Sequence, residues 1–314
     1  MQLLRIMLVG LMLAGGVAPL ARATAAPAPA EATAVPPTAS QHEEPALPQG
    51  PVKVTSFQTP LGPFVVTNSM VVTWVVAVGL IVFAQLATRR MREVPQGAQN
   101  FWEWMVESLY DFLEGIIGQP LVHKTFWFFA TIFIFILFCN WAGLIPGVGT
   151  IGWGHKTAHG FVIAKPLFRG ANADMNMTLA MALVFFGCWF VWAIQEIGPV
   201  GFLLHLFAPK GETSGLLKVL MVVVFIAVGF LEVFSILFRP VSLSFRLYGN
   251  VFAGENMLEA MSRLVPGFGW LVPVPFYFME LLVGFVQALV FMLLTAVFTM
   301  LVCQHEEGHE AAQH

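Results

Sequence analysis

The chain has 314 residues, of which 58% are hydrophobic and only 11% are charged, and its mean hydropathy is +0.78. Soluble domains carry about a quarter charged residues, so this composition is typical of a helical membrane protein with several spans. The net charge is −3, and no basic cluster of the kind that binds nucleic acid occurs. A glycine-rich loop of the Walker type is also absent from the sequence. Nucleic acid and ATP are therefore not predicted as ligands of this chain.

Residues 1–25 have the pattern of a signal peptide. Arg5 supplies the positive start, residues 6–20 form a short apolar core, and small residues at 21–25 offer a cleavage site. Residues 26–67 follow as a predicted disordered, Ala/Pro-rich and periplasmic segment. Cleavage would leave the mature N-terminus outside the cytoplasm, and an uncleaved anchor would leave the following segment on the same side.

A membrane domain is predicted over residues 68–303. Five apolar runs in it can cross a hydrocarbon core about 30 Å thick; they cover residues 68–88, 125–145, 177–196, 217–262 and 273–303. The fourth run would make roughly 69 Å of helix and the fifth roughly 46 Å, so neither can stand upright as one helix. Pro240 can kink the fourth, and three further prolines mark the turn after it. We therefore predict an all-α integral membrane protein with about five crossings, the last two forming a long, strongly tilted helical hairpin.

The orientation follows from the arginines directly after the first run, Arg89, Arg90 and Arg92. The positive-inside rule assigns this end of the first span to the cytoplasm. Five crossings then predict a cytoplasmic C-terminal tail at residues 304–314.

Residues 99–118, between the first two spans, have helical periodicity. Glu103, Glu107, Asp111 and Glu114 recur on one face, and large apolar residues occupy the opposite face. Such a segment either lies on the cytoplasmic membrane surface with its aromatic side down or packs as a lid on the spans. The second interpretation is the favoured one.

Polar side chains inside the last two spans fall into two groups. At about 100° per residue, one helical face of the fourth span carries Glu232, Ser235, Arg239, Ser242, Arg246 and Asn250. Glu255 comes nine residues after Arg246 and therefore points to the opposite side. On the last span, Glu280 and Gln287 share one face. We expect one surface bearing Arg246 and a second polar environment between the two long helices.

Arg246 is the residue of this set whose placement in the membrane costs the most free energy. An arginine at membrane depth without a partner costs at least about 2.5–3.5 kcal/mol, and residues 241–254 contain no carboxylate. The alternatives are snorkelling or a structural ion pair, but the most natural counter-ion lies on another chain. For Glu255 and Glu280 the alternative to function is a satisfied interhelical hydrogen bond.

Three strings carry a resemblance to a known family: "RPVSLSFRLYGNVFAGE" (239–255), "GFVQALVFMLLTAVF" (284–298) and "ADMNMTLAMAL" (173–183). The chain resembles subunit a of the membrane sector of F-type ATP synthases over residues 68–303. The resemblance implies a proton-channel stator in which Arg246 faces a rotating ring of c subunits, each carrying a membrane carboxylate. Two offset half-channels would reach the ring on either side of this arginine.

The resemblance also implies roles for further residues. The outer half-channel would be lined by Asn250, Glu255, Glu280 and Gln287, with Asp174 near its entrance. The cytoplasmic half-channel would contain Glu232, Ser235 and Arg239. Two of these assignments have structural alternatives. Asp174 could simply cap a helix next to Asn176, and the cytoplasmic group could be an ion-pair stripe.

Such a subunit is not an enzyme on its own, because the ATP chemistry resides on other subunits. Its implied partners are the c-ring, peripheral-stalk b subunits, membrane lipid and, indirectly, a soluble ATPase head, in a bacterial inner membrane. No cofactor or metal is predicted, since the three cysteines form no C-x-x-C pair and a metal role for His155 and His159 lacks further ligands. The competing interpretation is a self-contained secondary ion transporter, but the sequence shows no internal repeat.

Overall fold

The computed structural model describes residues 52–59, 62–145, 147–148, 151–157, 160–207, 216–264 and 270–303, some of them by backbone alone. The predicted signal peptide, residues 26–50 and the tail at 304–314 lie outside the described residues. In the described ranges most residues are helical, and five helices are long and apolar enough to cross a membrane. The predicted class, an all-α integral membrane protein, is confirmed.

Two antiparallel β-hairpins accompany the helices. β1 (Lys53–Thr59) pairs with β2 (Gly62–Thr67), and β3 (Gly152–Thr157) pairs with β4 (Gly160–Pro166). The first hairpin falls within residues 26–67, for which the sequence predicts disorder, so that prediction is wrong for β1 and β2. Strands form there because the two segments are rich in β-branched and aromatic residues, which favour extended backbone.

The first three helices are α1 (Asn68–Thr88), α2 (Ala98–Ile117) and α3 (Gln119–Gly143). Only Gly118 separates α2 from α3, and its φ of 82° is a left-handed conformation that glycine adopts readily. α2 buries Leu109 and Leu113 and packs against α1, α3 and α6, whereas the acidic Glu107 and the apolar Phe112 are both exposed. The segment thus packs on the spans as a lid would.

The last three helices are longer. They are α4 (Met175–Phe207), which breaks at Gly198 where φ is 74°, α5 (Leu216–Leu264) and α6 (Val274–Cys303). The 49 residues of α5 make roughly 74 Å of helix, and Pro240 lies inside it without ending it. A helix of this length must cross a bilayer obliquely.

The core is centred on α3. It packs against α1, α2 and α6, and α5 packs mainly along α4. Buried phenylalanines such as Phe128, Phe129 and Phe135 fill the space around α3. One end of the bundle, where α1 and α4 begin and both hairpins attach, is called the hairpin end below.

Candidate functional site

A small cavity lined in part by amide and carboxylate side chains lies near the hairpin end, between three helices. Its volume is about 10 Å³, which is close to the space that one water molecule needs. We call it the carboxylate cavity. Its lining comprises Asn140, Gly143 and Leu144 from the end of α3, Asn250, Val251 and Glu255 from α5, and Glu280, Val283, Gly284 and Gln287 from α6.

Glu255 lies where α5 meets the loop before α4. Its Oε2 is 3.5 Å from Nε of Arg169, and the two side chains are 23% and 12% exposed. The backbone amide of Gly170 also donates a hydrogen bond to this carboxylate. A Cβ at Gly170 would overlap Oε1 of Glu255, so the absence of a side chain at this position lets the carboxylate lie where it does.

Glu280 approaches α5 from the facing side of α6 and is 8% exposed. Its carboxylate lies directly against Gly254, where any Cβ would overlap it. Within the part of the chain that the structure describes, neither a hydrogen bond nor an ion pair holds this carboxylate. The two glutamates thus line one cavity, but only Glu255 has a cation beside it.

Side-chain amides form a row along the carboxylate cavity. Nδ2 of Asn172 donates to Oδ1 of Asn140 at 2.7 Å, and Nδ2 of Asn140 donates to the carbonyl of Gly284 at 2.9 Å. One turn further along α6, Oε1 of Gln287 accepts from Nδ2 of Asn250 at 2.7 Å. The buried Nε2 of Gln287 is left without a protein partner, so a water in the cavity has a hydrogen-bonding group to meet.

The opposite face of α5 is exposed. Arg246 lies on it, with the small residues Gly249 and Ala253 beside it. Asn250 is on this face too, but its amide reaches back to Gln287. Among the described residues, none places a carboxylate within ion-pair distance of Arg246. Asn250 therefore connects the carboxylate cavity to the surface that bears the arginine.

Asp174 occupies a different position from the other predicted outer residues. It is buried immediately before α4, where Oδ1 accepts from the backbone amide of Asn176 at 3.0 Å. Its Oδ2 accepts from Ser69 at 2.7 Å and from Thr67 at 3.4 Å. These bonds cap α4 and tie it to the start of α1, and Asp174 does not line the carboxylate cavity.

Glu232, Ser235 and Arg239 lie on α5 toward the end of the bundle opposite the hairpins, where Ser235 is exposed and the other two are half-buried. The guanidinium of Arg239 is 4.4 Å from the centre of the Phe298 ring on α6. The structure brings none of the three into the carboxylate cavity.

Sequence reasoning missed Arg169, Asn140 and Asn172 as neighbours of the predicted site. Arg169 is far from Glu255 in sequence, so no local pattern links the two residues. Asn140 does carry a signal in the sequence, because it is a polar amide inside the second apolar run. Of His155 the structure describes only the backbone, and His159 lies outside the described residues.

Comparisons with known proteins agree with one another. A family model described as ATP synthase A chain matches residues 70–300. The ATP synthase subunit a of Gloeobacter violaceus is 32% identical over 79% of this chain and 89% of its own length. That of Trichlorobacter lovleyi is 35% identical over 74% and 85%, and that of Moorella thermoacetica 32% identical over 76% and 91%. The chain belongs to the ATP synthase A chain family.

Proposed function

We propose that this chain, an ion-translocating membrane subunit without catalytic chemistry of its own, is a proton-channel stator. It would offer two offset half-channels to a rotating ring, with Arg246 between them. The observation that carries the proposal is the arrangement on α5. A cavity with two carboxylates lies on one side of the helix, and Asn250 connects it to the other side, where a permanent cation is exposed.

The carboxylate cavity is the outer half-channel in this proposal. A proton from outside would be taken up by Glu255 and passed through cavity water to Glu280. Gln287 and Asn250 would hydrogen-bond that water and hand the proton to the exposed face of α5. Amides suit this second part of the path because they orient water without becoming charged themselves.

Arg246 separates the two half-channels. A guanidinium does not deprotonate in proteins, so it cannot relay protons past itself. It stabilises the ionised form of a facing carboxylate, which would be that of each ring subunit in turn. The exposure of Arg246 and the small residues beside it leave room for such a partner.

The remaining predicted residues take more peripheral places. Glu232, Ser235 and Arg239 would lead from the ring to the cytoplasm along α5. Asp174 would lie near the outer entrance, although its hydrogen bonds favour a capping role for it.

The assembly implied by this function has further partners. Peripheral-stalk b subunits would hold the chain against the c-ring, and a soluble head would carry out the ATP chemistry. The hairpin end would face the periplasm of a bacterial inner membrane, and the turn that bears Arg89 and Arg90 would face the cytoplasm. The N-terminus would be periplasmic after signal cleavage and the C-terminus cytoplasmic.

The test is Arg246→Ala in membrane vesicles that contain the whole complex. We expect ATP-driven proton pumping to disappear while passive proton flow persists, because the barrier between the half-channels is gone. Arg90→Ala, which removes an exposed arginine at the end of α1, is the matched control and should pump normally. Coupled pumping at the wild-type rate in Arg246→Ala would contradict the proposal.

A further inference from the structure

Arg169 is a charged residue next to the carboxylate cavity, and the proposed function gives this residue no role. Its side chain is 12% exposed, and its Nε lies 3.5 Å from Oε2 of Glu255. A largely buried cation that contacts one of two neighbouring carboxylates makes the two chemically different.

The loop that carries Arg169 is held in place on several sides. Before it, the amide of Leu167 donates to the carbonyl of Ile151 at 2.8 Å. After it, Asn172 hydrogen-bonds to Asn140 on α3. The loop also lies so close to α3 that a Cβ at Gly143 would come within 2.9 Å of the Gly170 Cα. Arg169 is therefore presented by fixed backbone rather than by a freely moving segment.

The two carboxylates face different surroundings as a result. Glu255 is held by the guanidinium of Arg169 and the amide of Gly170, both of which stabilise its ionised form. Burial of Glu255 acts most strongly in the opposite sense, and the carboxylate of Glu259, on the next turn of α5, adds to it. Glu280 contacts Gly254 and has no comparable cation among the described residues.

We propose that Arg169 is a positioning residue for proton uptake from the outer side, an inference that rests on the proposed function. It holds Glu255 at the hairpin end of the cavity as an ionised proton acceptor. Glu255 takes a proton from outside water, gives it through cavity water to Glu280, and returns to its contact with Arg169. Arg169 itself neither gains nor loses a proton, and acts only through Glu255.

The test is a double-mutant cycle in inverted membrane vesicles that contain the whole complex. ATP synthesis driven by respiration is measured and normalised to the amount of complex in the membrane, since protons then enter from the outer side. We expect Arg169→Gln to lower the rate about tenfold. Arg169→Lys keeps the cation and should stay within about threefold of wild type. The variant that combines Arg169→Gln with Glu255→Gln should be no slower than Glu255→Gln alone, because both substitutions remove the same interaction.

Two further variants complete the test. Lys53→Gln removes an exposed cation on the first hairpin and should leave the rate unchanged. Glu255→Asp keeps Arg169 but withdraws the carboxylate by one methylene, and should lose as much activity as Arg169→Gln. This variant decides the question if Arg169→Gln does not assemble.

Some results would overturn the inference. These are a wild-type rate in Arg169→Gln, a wild-type rate in Glu255→Asp, or a double variant whose loss is the product of the single losses. Arg246→Ala is measured in parallel to separate the two proposals. Normal synthesis in Arg246→Ala would refute the proposed function. Loss in Arg246→Ala with a wild-type rate in Arg169→Gln would refute the role of Arg169 alone.

Discussion

Arg246 and Glu255 lie nine residues apart on the same helix, yet their surroundings differ sharply. Glu255 points into the bundle, where Arg169 and Gly170 meet its carboxylate. Arg246 points out of the bundle and meets no carboxylate among the described residues. A charge at membrane depth persists only with a partner or a function. One of these charges is thus satisfied within the chain, and we propose that the other is satisfied from outside it.

The helices show the same contrast. In the membrane-spanning part of α3, 67% of the residues are buried, against 17% for α5. α3 is therefore a core helix, whereas α5 leaves most of its surface to lipid or to another protein. A helix that carries an arginine on such a surface needs a polar partner there, since lipid tails offer none.

The largest effect is expected when the exposed guanidinium of Arg246 is replaced by an ammonium group. Arg246→Lys keeps a cation, but an ammonium can release its proton when it is desolvated, whereas a guanidinium cannot. We expect ATP-driven pumping to fall roughly 100-fold, with proton leak retained. Pumping by vesicles is compared with Arg90→Lys, and equal pumping by both variants would contradict a special role for the guanidinium.

The second largest effect is expected at Glu280, the carboxylate that has no cation beside it among the described residues. Glu280→Gln preserves size and can still hydrogen-bond, but it cannot carry a proton. We expect ATP synthesis to fall at least about tenfold, as for the loss of a proton-transfer group. Unchanged synthesis would mean that the interhelical contact of Glu280, rather than its titration, is what the chain requires.

A smaller effect is expected from moving Glu280 without removing it. Gly254→Ala places a methyl group where the carboxylate lies, so the side chain must rotate away from the cavity. We expect synthesis to fall about threefold. Gly187→Ala on α4, where a Cβ meets no atom within 4 Å, is the control. Equal rates in the two variants would show that the position of the carboxylate matters little.

The smallest effect is expected at Asp174. Asparagine caps helices about as well as aspartate. In Asp174→Asn the remaining Oδ1 can still accept from the amide of Asn176, and the new Nδ2 can donate to the Ser69 hydroxyl, which then accepts instead of donating. The titratable group is removed. We expect synthesis to stay within about twofold of wild type. A loss of tenfold or more, with normal amounts of assembled complex, would assign Asp174 to the proton path instead.

Much of this comparison could be predicted from the sequence. Helical periodicity separates Arg246 from Glu255, and the apolar runs identify five crossing helices, because both depend on local spacing and composition. The excessive length of the fourth run likewise indicates an oblique helix, and α5 is that helix.

Other features depend on contacts between distant segments. Arg169 meets Glu255 across more than eighty residues of sequence, and no local pattern indicates that the loop before α4 reaches α5. The capping bonds of Asp174 to Ser69 also join separate segments. The first hairpin lies beside an Ala/Pro-rich stretch, whose composition hid the short alternation in β1 and β2.

We propose that the counter-ion of Arg246 lies on another chain. A photoreactive amino acid at Ser242, which is exposed one turn before Arg246, can identify that chain. The comparison position is Val78 on α1, which is exposed and apolar. After illumination of the whole complex in its membrane, we expect Ser242 to form an adduct with a small membrane subunit whose spanning helix carries a carboxylate, and Val78 to form none. Adducts with lipid alone at both positions would contradict the account.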